Sequence, residues 1–148
     1  MITVLWIVGI SLSVSAMCSI LEAVLLSVTA SYVEFLKETE SKAGIYLGQM
    51  KTAIDEPIAA ILTLNTIAHT AGAAMGGSAA TKVFGEVWIG VFTGVLTLAI
   101  LVISEIVPKT IGAVYWKKLA IPSAHLIHWM VILMKPVLVP INSFSRVL

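Results

Sequence analysis

The chain has 148 residues, of which 59% are hydrophobic and 11% charged, with a net charge of +1 and a mean hydropathy of +1.03. Water-soluble domains carry about 25% charged residues, so a soluble core is excluded, and the near-neutral balance leaves no footprint for nucleic acid. A single cysteine, Cys18, excludes an intrachain disulfide framework and a cysteine-built metal centre, and it reads as a small buried hydrophobe.

The first apolar stretch, about 2–33, contains one charge, Glu22. It exceeds the roughly 20 residues a membrane span needs. It lacks a basic leading region and is too long for a cleaved signal, which predicts a retained helix. Residues 34–56 carry three lysines and five acids. Within them Ala43, Tyr46, Leu47, Met50 and Ile54 recur every three or four positions, the pattern of an amphipathic helix over about 40–54. Asp55-Glu56-Pro57 reads as a helix start, with Asp55 as the N-cap acid. A second, uncharged stretch covers about 57–81, and a third, about 87–112, contains Glu105 and Lys109. The stretch 119–134 is uncharged and just long enough to cross, but Pro122, Pro136 and Pro140 interrupt its surroundings. It is expected to lie in the interface or re-enter, as part of a juxtamembrane segment over about 119–146.

These elements predict an all-α integral membrane protein of three transmembrane helices plus amphipathic juxtamembrane helices, embedded in a lipid bilayer. Lysines cluster in the first loop and again after the third span, against Lys82 alone in the short second loop. The lysine bias predicts a multi-pass cell-membrane protein with its N-terminus outside and its C-terminus in the cytoplasm. Gly72-x-x-x-Gly76 and Gly90-x-x-x-Gly94 permit close helix approach, either within the bundle or at a homodimer seam.

Glu105 is the most informative residue, because an ionised side chain within a span costs several kcal/mol and usually marks an ion or substrate pathway. Pro108 lies three positions on, where it cannot donate to the carbonyl of Ser104 and its ring bends the helix. The freed carbonyl can serve as a ligand, or the bend as a gate. Lys109 either reaches the cytoplasmic headgroups or pairs with Glu22. In the first span Ser11, Ser15, Ser19 and Glu22 are spaced by four, four and three, which aligns them on one face. The second span offers Thr63, Asn65, Thr66, His69 and Thr70, with Asn65 and His69 sharing a face.

Helical rise puts Asn65 roughly 12 Å in from Pro57, Glu105 about 10 Å in from Gly112 and Glu22 about 16 Å in from Val33, with Ser19 and Ser15 deeper. Three helices thus bring oxygen ligands into one slab in the cytoplasmic half of the membrane. Hard oxygens suit Mg²⁺, Ca²⁺ or Na⁺ over zinc or copper. One carboxylate with hydroxyl and amide oxygens can replace part of the Mg²⁺ hydration shell without holding the ion too tightly for transport. Each residue also has a structural reading: serines bond back to their own helix carbonyls, Asn65 serves as an interhelical partner, and His69 packs.

Ser15-x-x-x-Ser19-x-x-Glu22-Ala23-x-Leu25-Leu26-Ser27, Asp55-Glu56-Pro57 with Leu64-Asn65-Thr66, and Glu105-Ile106-Val107-Pro108-Lys109-Thr110 together resemble the transmembrane domain of the CNNM/CorC family. The resemblance covers essentially the whole chain, and the Glu-x-x-Pro-Lys motif is its most specific part. It implies a homodimeric Mg²⁺ transporter, with Na⁺-coupled Mg²⁺ export and no enzymatic activity. Mg²⁺ coordination falls on Ser15, Ser19, Asn65 and Glu105. Glu22, His69, Ser104, Pro108, Lys109 and Gly112 stand in secondary or gating positions. Cytoplasmic nucleotide-binding CBS domains, which usually follow this domain in the family, are not expected within these residues. The chain departs from the family pattern at Ser19-Ile20-Leu21-Glu22, where Ser-Gly-Ser-Glu is common, and at His69, where a second asparagine is frequent. The alternative reading is a membrane scaffold that senses Mg²⁺ without moving it. An intramembrane serine hydrolase built on a serine and His69 is a distant third.

Overall fold

In the computed structural model the backbone is described for residues 1–145 and the side chains for 1–137, so the last position of the expected 119–146 segment lies outside the described residues. The described residues are helical, with no strand among them. In chain order they form α1 (Ile2–Ser27), α2 (Ala30–Glu38), α3 (Lys42–Thr52) and α4 (Asp55–Phe84). A 3₁₀ turn (Glu86–Trp88), α5 (Ile89–Ala99), a π-helical segment (Ile100–Ile106) and α6 (Val107–Val114) follow as one rod, and α7 (Trp116–Ser145) completes the chain.

The first apolar stretch stops short of the expected residue 33. Val28 takes an extended conformation and Thr29 caps α2 by accepting from the Tyr32 N–H. Threonine is a favoured N-cap because its hydroxyl replaces a missing helix acceptor. The chain therefore turns here, and α2 and α3 fold back on one another. Glu40 takes a left-handed conformation in the turn between them. Gly44 lets the backbones meet, since a Cβ there would lie 2.6 Å from the Leu36 carbonyl carbon. The expected amphipathic helix is α3, with Ala43, Gly44, Leu47 and Met50 buried. The α4 N-cap is Ile54 rather than Asp55. Asp55 and Glu56 instead occupy the first turn, where their charge complements the helix dipole.

The tightest core lies at the α2–α3 end of the bundle. Leu21, Val24 and Leu25 of α1 and the following Val28 pack there against Leu36, Leu47, Ile61 and Ile127, all fully or nearly fully buried. Large apolar side chains elsewhere are mostly exposed, as expected for surfaces that meet lipid.

Four helical rods are long and apolar enough to cross a bilayer: Ile2–Ser27, Asp55–Phe84, Glu86–Val114 and Trp116–Val137. The fourth corresponds to the stretch expected to lie in the interface. The prolines expected to interrupt it sit inside one continuous helix. Pro122 removes only the donor for the Lys118 carbonyl, in the exposed first turns, so the helix carries on.

Candidate functional site

The serine stripe of α1 faces α4. Ser11 Oγ donates to the Ala68 carbonyl at 2.6 Å, and Ser15 Oγ lies 2.5 Å from His69 Nε2. The helices meet closely because Gly72 and Gly76 offer no side chain: a Cβ at Gly72 would collide with Ser11 Oγ, and one at Gly76 would crowd Val8 at 3.3 Å. The Gly72/Gly76 motif is thus used for packing inside the chain. These pairs advance along α1 as they retreat along α4, so the two helices are antiparallel, and the same register sets Ser19 level with Asn65.

At that level two buried oxygens have no hydrogen-bond partner among the described residues. They are Ser19 Oγ and, as its amide is oriented, Asn65 Oδ1. An orphaned buried polar group costs about 1–3 kcal/mol, and native structures rarely leave one without a reason. Both lie on facing helices, one turn from the Ser15–His69 pair. Thr63, by contrast, bonds back to the Ala59 carbonyl of its own helix, while Thr66 and Thr70 are exposed.

The third rod runs parallel to α1. Ser104 Oγ, buried, donates to the Leu12 carbonyl at 3.2 Å, and Gly112 sits against Ile20 and Ala23. A Cβ on Gly112 would lie 2.8 Å from both Ala23 Cβ and the Ile20 carbonyl oxygen, so only glycine allows this contact. Glu105 is half-buried beside Ser104 and makes no ion pair among the described residues. Following Ser104, it lies at the depth of the Leu12–Ser15 turn of α1. Ser19 and Asn65 lie about one helical turn, roughly 6 Å, further along. Glu105 is brought to the neighbouring turn and not into direct hydrogen bonding with either of them.

The chain answers Pro108 by widening the helix before it. Residues Ile100–Ile106 are π-helical, with the Val107 N–H bonded to the Val102 carbonyl five residues back. Such single π turns are rare and concentrate at functional sites. Pro108 itself is buried. Lys109 resolves its two expected alternatives by pairing with Glu22 at 3.2 Å, joining α6 to α1. Glu22 is only 17% exposed in this pair.

Sequence reasoning missed the Ser15–His69 contact, Ser11's anchoring role and the π turn. The i, i+4 spacing of Asn65 and His69, matching that of Ser15 and Ser19, was the available signal for the first. Among the described residues no three His, Cys, Asp or Glu side chains converge.

Long apolar helices, packed through glycines around a few buried polar side chains, define a multi-pass helical membrane domain. The family model described as the cyclin M transmembrane N-terminal domain matches residues 6–148, and the chain belongs to that family. It is 33% identical over 132 residues to a UPF0053 protein of Synechocystis, covering 89% of this chain and 38% of that protein. It is 35% identical over 94 residues to the UPF0053 inner membrane protein YfjD of Escherichia coli, covering 64% of this chain and 22% of that one. A chloroplastic DUF21 domain-containing protein of Arabidopsis thaliana is 28% identical over 131 residues, 88% of this chain and 20% of that protein. The chain thus spans less than two fifths of the length of these relatives.

Proposed function

We propose that this domain transports Mg²⁺, taking the ion from a cytoplasm-facing cavity and exporting it in exchange for Na⁺ across a homodimer. The observation that carries the reading is the pair of buried, unpartnered oxygens of Ser19 and Asn65 on facing helices. An oxygen without an internal donor is available to a hard cation.

Ser15, Ser19, Asn65 and Glu105 are the proposed ligands. With its Nε2 unprotonated, His69 accepts a hydrogen bond from the Ser15 hydroxyl and leaves both hydroxyl lone pairs for the ion. Glu105 supplies the one full negative charge, and the neutral oxygens replace water around a partly dehydrated Mg²⁺. Mg²⁺ gives up water reluctantly, so a site with one carboxylate binds moderately and lets the ion leave. The π turn and Pro108 provide the segment that changes shape during release, while the Glu22–Lys109 pair ties α6 to α1 beside it. Na⁺ competes for the same carboxylate.

Mg²⁺ flux into proteoliposomes tests the proposal directly. Glu105→Gln is expected to abolish it, and undiminished flux would remove Glu105 from the mechanism. A domain that binds Mg²⁺ without flux would be a sensor instead. The Ser15–His69 contact also has the form of a nucleophile and base. Ser15 is fully buried, however, and no carboxylate bonds His69 among the described residues. Labelling by a serine-reactive phosphonate would be needed to revive a hydrolase.

A further inference from the structure

We propose that the cavity between α3, the start of α4 and α7 holds the phosphoethanolamine headgroup of a membrane lipid. The cavity measures about 160 Å³, and its walls include Gln49, Glu56, Pro57, His128, Ile132 and Lys135. That is room for several water-sized groups.

Glu56 and Lys135 both face this space, and neither forms an ion pair among the described residues. Two opposite charges that share a cavity without pairing suit a ligand carrying both signs. A simple anion would meet the Glu56 carboxylate, and a simple cation would meet the Lys135 ammonium. A phosphate linked to a primary ammonium satisfies both. The ammonium offers N–H donors to Glu56, which a quaternary choline lacks. Lys135 and a His128 ring nitrogen can donate to the phosphate. The His128 ring is already fixed: Tyr46 stacks on it at 3.9 Å with 9° between planes, so its edge remains for a ligand. His125 packs edge-on against the same tyrosine at 5.5 Å.

The position suits a lipid rather than a soluble metabolite. Near the start of α7, the Lys117 carbonyl accepts from Tyr32 Oη just beyond the end of α1. Further along α7, Ile132 and Lys135 line the same cavity as Glu56 and Pro57 at the start of α4. Since α1 ends and α4 begins at the same end of the bundle, this part of α7 runs along that end. It exposes Leu126, Trp129, Ile132 and Leu133. Tryptophan at headgroup depth is the common membrane-interface pattern. Ile132 lines the cavity and joins that exposed apolar side, offering the acyl chains a path out. The inference is independent of the ion site.

The test uses the delipidated domain in detergent, with native mass spectrometry and thermal melting. The probes are dioleoyl-phosphatidylethanolamine, -phosphatidylcholine and -phosphatidylglycerol, and free phosphoethanolamine. The ethanolamine lipid is expected to be retained most and to raise the melting temperature most. Glu56→Gln should weaken its retention about tenfold, the loss of one charge-assisted hydrogen bond, and leave phosphatidylglycerol unchanged. Lys135→Gln should weaken both. Melting without lipid checks the fold of each variant, and Lys135→Gln alone carries the comparison if Glu56→Gln melts early. Equal retention of the three lipids overturns the proposal, as does retention indifferent to the substitutions. Free headgroup acting as strongly as the lipid overturns it too.

Discussion

Ser19 and Asn65 lie level on antiparallel helices, and each keeps a buried oxygen that no hydrogen-bonding group among the described residues satisfies, Asn65 as its amide is oriented. Their neighbours one turn away, Ser15 and His69, satisfy one another. The contrast locates the pair: the same stripe of α1 changes from internal bonding to an unpaired oxygen within four residues. Orphaned oxygens reduce stability, and under the proposed function a bound cation would offset that cost.

Replacing Ser19 by alanine removes an unsatisfied hydroxyl without removing an internal hydrogen bond. The cation-free protein is expected to melt at the same temperature or higher, by up to about 1–2 kcal/mol of stability. Its Mg²⁺-dependent stabilisation should fall. Asn65→Ala should likewise weaken Mg²⁺ binding by about tenfold or more and leave the fold intact. Unchanged affinity by calorimetry would assign Asn65 to packing.

Glu105→Gln retains the size and most of the polarity of the side chain but removes its charge. Mg²⁺-dependent thermal stabilisation and flux into liposomes are both expected to disappear. Retention of either at the parent level would show that the charge is not a ligand.

Gly112→Val adds side-chain atoms where even a Cβ would come within 2.8 Å of Ala23 and the Ile20 carbonyl. Overpacking of this kind costs about 1–3 kcal/mol. The measurement is the melting temperature in detergent, expected to fall well below that of a substitution at lipid-facing Val95.

Gly90 and Gly94 make a different prediction. A Cβ at either would meet nothing within 4 Å, and few residues of the rod that carries them are buried. This motif therefore serves no packing contact among the described residues. Gly90→Leu with Gly94→Leu should leave the monomer's melting unchanged and shift a dimer to monomer on size-exclusion with light scattering. A dimer that persists would move the seam elsewhere.

The Glu22–Lys109 pair joins two helices at the site, so it should couple measurably. Lys109→Met leaves the Glu22 carboxylate largely buried and unpaired, which is the costly half of breaking such a pair. A double-mutant cycle with Glu22→Gln is expected to give a coupling of about 0.5–3 kcal/mol. Additive effects would make the contact incidental.

Much of this was legible in the chain, because helix periodicity is local. Spacings of four and three set Ser11, Ser15, Ser19 and Glu22 on one face before any neighbour is known, and all four do point into contacts or burial. Glu105 and Pro108 announced themselves as a charge and a helix breaker in an apolar run. Helix ends were less legible: Thr29 turned a stretch that composition alone carries to residue 33, and α7 absorbed three prolines.

Composition and spacing by themselves determined that the chain is helical, sits in a membrane and carries a few polar residues on defined faces. These properties depend on hydropathy and on a 3.6-residue repeat, both readable within a few turns. Which oxygens find partners depended on the offset between helices, and that offset is fixed by contacts between positions distant in the chain. Gly72 against Ser11 and Gly112 against Ile20 lock it to within a residue. A shift of one turn would have exchanged the bonded Ser15 for the orphaned Ser19 opposite His69, so only the tertiary structure decided where the unpaired oxygens lie.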